Sequence, residues 1–192
     1  MNRLMRIGAW LAALGLTSGQ AFAHEPHAHV HEIASLQLAI DGNILTLDFA
    51  SPLDNLLGFE HAPRTDKQKT AIRNMADRLR KADVVFITTP AAHCTSSSIQ
   101  LDSPVLGEAL TQPSGKKASA PTHHKDADHD DDDHADLSAE YVFTCEHPDN
   151  LRDLEVKLFD YFPNLRRVDV QVASARGQSA AKLTPGARRV SW

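Results

Sequence analysis

The sequence predicts an α+β fold: a mostly antiparallel β-sheet with one substantial helix packed on it and a long disordered His/Asp-rich insertion. Three observations predict it. Several runs alternate apolar and polar residues at period two. One run repeats at helical spacing behind a capping box. Residues 102–136 show no periodicity.

The first element is a hairpin. Leu36, Leu38 and Ile40 alternate with polar or small residues, Asp41-Gly42-Asn43 turns, and Leu45, Leu47 and Phe49 alternate again. "SPLDNLLGFEHAPRTD" then reads as a short helical turn and a loop. Thr65 and Gln68 form a capping box ahead of a helix with Ile72, Met75, Ala76 and Leu79 on one face, ending near Lys81. "ADVVFITTP" reads as a buried strand, and "TSSSIQLDS" as a weaker one after Cys94. After the insertion come the strand "AEYVFTC", a helical turn from Pro148, and the period-two strand "DLEVKLF". "RVDVQVA" follows with Val168, Val170 and Val172 on one face, and Arg176-Gly177 turns into "QSAAKLTP".

The ends and the charge bound the function. Arg3 and Arg6 precede an apolar run from Ile7 to Leu16, and Ala21-Phe22-Ala23 supplies a small-x-small cleavage pattern. This predicts a signal peptide over 1–23, a mature chain starting at His24, and residence in the periplasm. A histidine-rich N-terminus over 24–32 then leads into one domain over 33–192, with a flexible loop at 103–136. The mature chain holds 18 basic and 25 acidic residues, a net charge of −7, of which the tract at 123–136 alone supplies −6. No basic cluster suggests nucleic acid, and no later run is long enough for stable membrane insertion.

Two cysteines remain, Cys94 and Cys145. In an oxidising compartment they read most simply as a disulfide. The alternative is a zinc site, because His93 abuts Cys94 and His147 lies two residues past Cys145.

The chemistry concentrates in two histidine clusters. "HHKDADHDDDDHAD" offers His123, His124, His129 and His134, with Asp126, Asp128 and Asp130 as extra oxygen ligands. A solvated charge run accounts for the aspartates but not for four interspersed histidines. The aspartates repel one another, hold the loop extended and concentrate cations. Ordering such a loop costs entropy, so it suits a buffer or feeder rather than a trap. The second cluster is "HEPHAHVHE": His27, His29 and His31 share one face of an extended chain, and His24 adds a free amine after cleavage. His61 in "GFEHAP" is a further ligand candidate for this cluster, with its neighbour Glu60 as an extra oxygen ligand.

Other chemistries fail on spacing. Asp126, Asp128 and Asp130 begin like a calcium loop, but Asp131 and Leu137 occupy the glycine and glutamate positions of an EF-hand. His24-Glu25 and His31-Glu32 lack the second histidine of a zinc-protease helix, since Ala28 and Ser35 stand there. Copper(I) is disfavoured because the mature chain keeps only Met75, while Cu2+ or Ni2+ at the imidazoles is the alternative to Zn2+. No P-loop, dinucleotide motif or nucleophile elbow occurs, and the sequence predicts no enzyme and no catalytic residue. A rival of another class is a non-metal interaction domain whose acidic loop docks a basic partner.

"LQLAIDGNILTLDFASPLDNLLGFEHAPRTDKQK", "AEYVFTCEHP" and "FPNLRRVDVQVASARGQSAAKLTP" together resemble the ZrgA-like family of zinc-regulated, histidine-rich periplasmic proteins. The resemblance covers nearly the whole mature chain, with "GFEHAP" and "GQSAAKLTP" its more specific parts. It implies a zinc-binding periplasmic protein that assists zinc import beside a zinc ABC importer or its periplasmic binding protein. It carries a ligand role onto His27, His29, His31 and His61, and maps the variable histidine-rich insertion to 123–136. Pro26 departs from the glycine-containing start more frequent in that family.

Overall fold

The structure, a computed structural model, describes residues 32–107 and 135–192. Both histidine-rich tracts lie outside these residues. Among the described residues, fifteen elements include nine strands, β1 (Ile33–Asp41), β2 (Ile44–Pro52), β3 (Phe86–Thr88), β4 (Cys94–Asp102), β5 (Asp136–Cys145), β6 (Asp153–Val156), β7 (Arg167–Ser174), β8 (Gly177–Leu183) and β9 (Arg189–Ser191). Three α-helices, α1 (Leu53–Leu57), α2 (Asp66–Leu79) and α3 (Ala82–Val85), lie between β2 and β3.

Six strands form one sheet in the order β4-β5-β2-β1-β7-β8. All neighbours are antiparallel except β1 and β7, which run parallel. The predicted alternation sets its faces: Leu36, Leu38, Leu45, Leu47, Phe49, Tyr141, Phe143, Val168, Val170 and Val172 are all buried on one side. Gln37, Asp48, Glu140 and Gln171 point the other way and are exposed. A three-stranded sheet, β3-β6-β9, and α2 complete the same core. Phe86 of β3 meets Tyr141 of β5 edge-on at 4.9 Å between ring centroids.

The predicted helix forms as expected. The Thr65 hydroxyl accepts from the Gln68 N–H, the Gln68 side chain accepts from the Thr65 N–H, and Ile72, Met75, Ala76 and Leu79 are buried. Arg78 stacks on the Tyr161 ring at 4.0 Å.

Four sequence readings are corrected. "ADVVFITTP" is not a strand throughout: Ala82–Val85 makes a helical turn, because the Lys81 carbonyl accepts from the Val84 and Val85 N–H groups, and only Phe86–Thr88 extends. "DLEVKLF" is a strand only to Val156, after which Leu158–Asp160 turns as a 3-10 helix that buries Leu158 and Phe159. β9 went unread because three residues show no period; Val190 buries there, while Arg189 reaches Asp153 and Glu155, each at 2.7 Å. The range 103–136 read as loop is corrected only at its ends, since residues 108–134 lie outside the described residues. Ser103 and Leu106 are buried in a turn, Ala135 is buried, and Asp136 begins β5.

Candidate metal centre

Cys94 and Cys145 are directly paired across β4 and β5 and joined by a disulfide, with sulfurs 2.01 Å apart. The thiolate zinc site is thereby excluded, since neither sulfur keeps a charge or lone pair suited to a cation. The bridge closes the end of the β4–β5 pair opposite the insertion. Asp102 and Ser138 pair at the other end.

That other end gathers the sequences that lead to the histidine tracts. β1 and β5 are both antiparallel to β2, so both start at the same edge of the sheet. Ser35 and Ser138 flank Ala50 on its two sides, which places them two strand spacings, about 10 Å, apart. Both starts are fastened to α1. The Asn55 side chain accepts from the Glu32 N–H at 2.7 Å and donates to the Ile33 carbonyl at 3.0 Å. The Leu53 N–H donates to the Ala135 carbonyl at 2.8 Å. Glu32 directly follows His31 in the chain, and Ala135 directly follows His134.

α1 ends at Gly58, whose φ of 75° is the left-handed conformation that glycine adopts without strain, and the chain continues into Phe59-Glu60-His61. Glu60 and His61 are half-buried. The His61 ring packs on Phe59 at 5.2 Å, and its Nδ1 lies 2.8 Å from the Ala62 carbonyl. A carbonyl only accepts, so Nδ1 donates and the lone pair of the neutral ring sits on Nε2. This is how a ligating histidine is oriented by its backbone partner.

Of the other residues predicted as ligands, His24, His27, His29, His31, His123, His124, His129, His134, Asp126, Asp128 and Asp130 lie outside the described residues. The described ones, His61 and Glu60, are adjacent in the chain and follow the helix that fastens both tract junctions.

The opposite end of the sheet holds a group that sequence reasoning missed. His93, Glu146 and His147 place one donor atom each within 4.8 Å of the others, and all three are exposed. His93 and His147 were weighed only as partners of thiolates, and Glu146 not at all. The signal was the cysteine pair itself: joining Cys94 to Cys145 necessarily joins their neighbours.

Among the described residues no helix is long and apolar enough to cross a membrane. No curated protein matches the chain significantly. The family model described as "ZrgA family zinc uptake protein" matches residues 28–192, nearly all of the chain past the leader-like segment, and the chain therefore belongs to the ZrgA family of zinc uptake proteins.

Proposed function

We propose that this protein is exported through a cleavable signal peptide and acts in the periplasm, where it captures or buffers zinc and assists its import. The observation that carries the reading is the common fastening of both tract junctions to α1, through Asn55 to Glu32 and Leu53 to Ala135. The insertion, with His123, His124, His129 and His134 and with Asp126, Asp128 and Asp130 as oxygen donors, collects the ion weakly and exchanges it fast. The N-terminal histidines, His24, His27, His29 and His31, with His61 and Glu60, hold it longer, because the fold fixes one side of that site. The zinc passes to a zinc ABC importer or its periplasmic binding protein. Three or more imidazole and carboxylate donors suit Zn2+ without redox chemistry.

Calorimetric titration of the mature chain tests this against a version lacking residues 121–134, which leaves Ala135 and Asp136 in place. The expected result is loss of several weak zinc sites and retention of a tighter one, which His61→Ala then weakens. Equal binding by the two proteins would remove the insertion as a collector. Tighter binding of Cu2+ than the order of intrinsic affinities gives over Zn2+ would move the assignment to copper.

A further inference from the structure

We infer that His93, Glu146 and His147 form a separate, solvent-facing site for a divalent transition-metal ion, at the disulfide end of the sheet. β5 covers nine residue steps between Asp136 and Cys145, roughly 30 Å, so this trio and the α1 end are fixed far apart. The site stands independently of the function proposed above.

The donor geometry is close to what a metal needs. Tetrahedral zinc with ligand bonds near 2.0–2.1 Å sets its donors about 3.3 Å apart. His93 Nδ1 and Glu146 Oε2 are 3.3 Å apart, and the two imidazole centroids are 5.2 Å apart at an interplanar angle of 58°. All donor separations lie within 4.8 Å, and side-chain rotation can close them further, because the side chains of His93 and Glu146 are 60% and 72% exposed. Two imidazoles and a carboxylate leave a coordination position for water or an incoming ligand.

The backbone beneath the donors is held from both sides. The disulfide joins the residues next to His93 and Glu146. The Glu146 N–H donates to the His93 carbonyl at 3.3 Å, and the His147 N–H to the Ala92 carbonyl at 3.0 Å. Asn150 adds a side-chain bond to the Ala91 carbonyl at 3.1 Å. His147 precedes Pro148, which excludes the helical conformation at His147. His93 itself is left-handed, with φ 50° and ψ 53°. A residue with a side chain is uncommon there, and persists where its surroundings over-determine it. A surface ion pair accounts for His93 and Glu146 alone and contributes little. It leaves unexplained the second imidazole brought against the first.

The exposed, three-donor arrangement suits a site that exchanges its ion readily with solvent or with another protein's ligands. It is tested on the full mature chain by following every imidazole nitrogen resonance as zinc is added. The expected result is that His93 and His147 shift together and saturate together. Glu146→Gln should weaken that response at least about tenfold, and His147→Ala should abolish it at His93. Resonances of His93 and His147 that stay put at a zinc excess over all histidines would overturn the site, as would an unchanged His93 response in His147→Ala. The tract histidines are read in the same spectra, so failure here and failure of the zinc-capture function are separately visible. Because all three side chains are exposed, the variants are expected to keep the fold, which the β5 amide signals confirm directly.

Discussion

The phenol of Tyr141 is fully buried and its hydroxyl has no hydrogen-bond partner among the described residues. An unmet buried hydroxyl costs about 1–3 kcal/mol, so Tyr141→Phe should leave the protein equally stable or raise stability by about 1 kcal/mol, read by urea unfolding. Burial pushes the phenol above the ordinary tyrosine range. The folded state therefore favours the neutral phenol, whose contribution is fully present below pH about 10 and is lost as pH rises beyond the unfolded value. The Phe variant should lack that component of the alkaline decline; an unchanged slope above pH 10 would show that Tyr141 ionises as freely in the folded chain. His93 makes the opposite case, a residue whose backbone opposes its side chain. Its left-handed φ of 50° costs about 1–2 kcal/mol for a residue with a Cβ. His93→Gly relieves that and adds unfolded-state entropy, so stability should stay within about 1 kcal/mol of the parent or rise. A loss of several kcal/mol on thermal unfolding would mean that the imidazole serves the fold rather than a ligand.

Among the elements, α1 matters beyond its five residues. Asn55 is buried and bonds to Glu32, Ile33 and Ser51, fixing where β1 begins. Asn55→Ala strands a backbone donor and acceptor and should cost about 2–3 kcal/mol in urea unfolding. If the proposed N-terminal zinc site exists, the same variant should weaken it by freeing the start of β1, while the His93–His147 response stays as it was. α2 was legible in full, since a capping box and a helical stripe are both local signals, and Thr65→Ala should cost about 1 kcal/mol. The hairpin was legible for the same reason, with period two on either side of a turn whose Gly42 takes φ 57°. What failed was also instructive. Val84 and Val85 carry β-forming side chains, yet the Lys81 carbonyl captures their N–H groups and Val84 is left exposed. The parallel pairing of β1 with β7 joins segments far apart in the chain, and no local pattern encodes it. The candidate sites divide along the same line. Histidine runs announce themselves by composition, whereas the trio at the disulfide exists only once residues 94 and 145 are joined.

At the scale of the whole molecule, the disulfide and the two chain ends that lead into the insertion occupy opposite ends of one strand pair, so the fold's staple stands apart from the metal collection proposed for the tract. The bridge closes a loop with a sequence separation of 51, worth about 4 kcal/mol in the chain-entropy account. The insertion lies inside that loop, so its length enters only logarithmically. Removing residues 121–134 should change stability by under about 0.5 kcal/mol. Extending the cut to residue 136 is a different matter. It removes the Ala135 carbonyl that receives the Leu53 N–H and the Asp136 that pairs with Pro52, and it pulls the start of β5 away from β2 and α1. Urea unfolding of the two deletions beside a Cys94→Ser/Cys145→Ser variant puts these terms in order. The shorter deletion should overlay the parent, the longer one should lose about 1–3 kcal/mol, and the serine pair about 4 kcal/mol. A large loss from the shorter deletion would mean that the histidine tract packs on the domain. Its metal chemistry would then be tied to the fold instead of hanging from it.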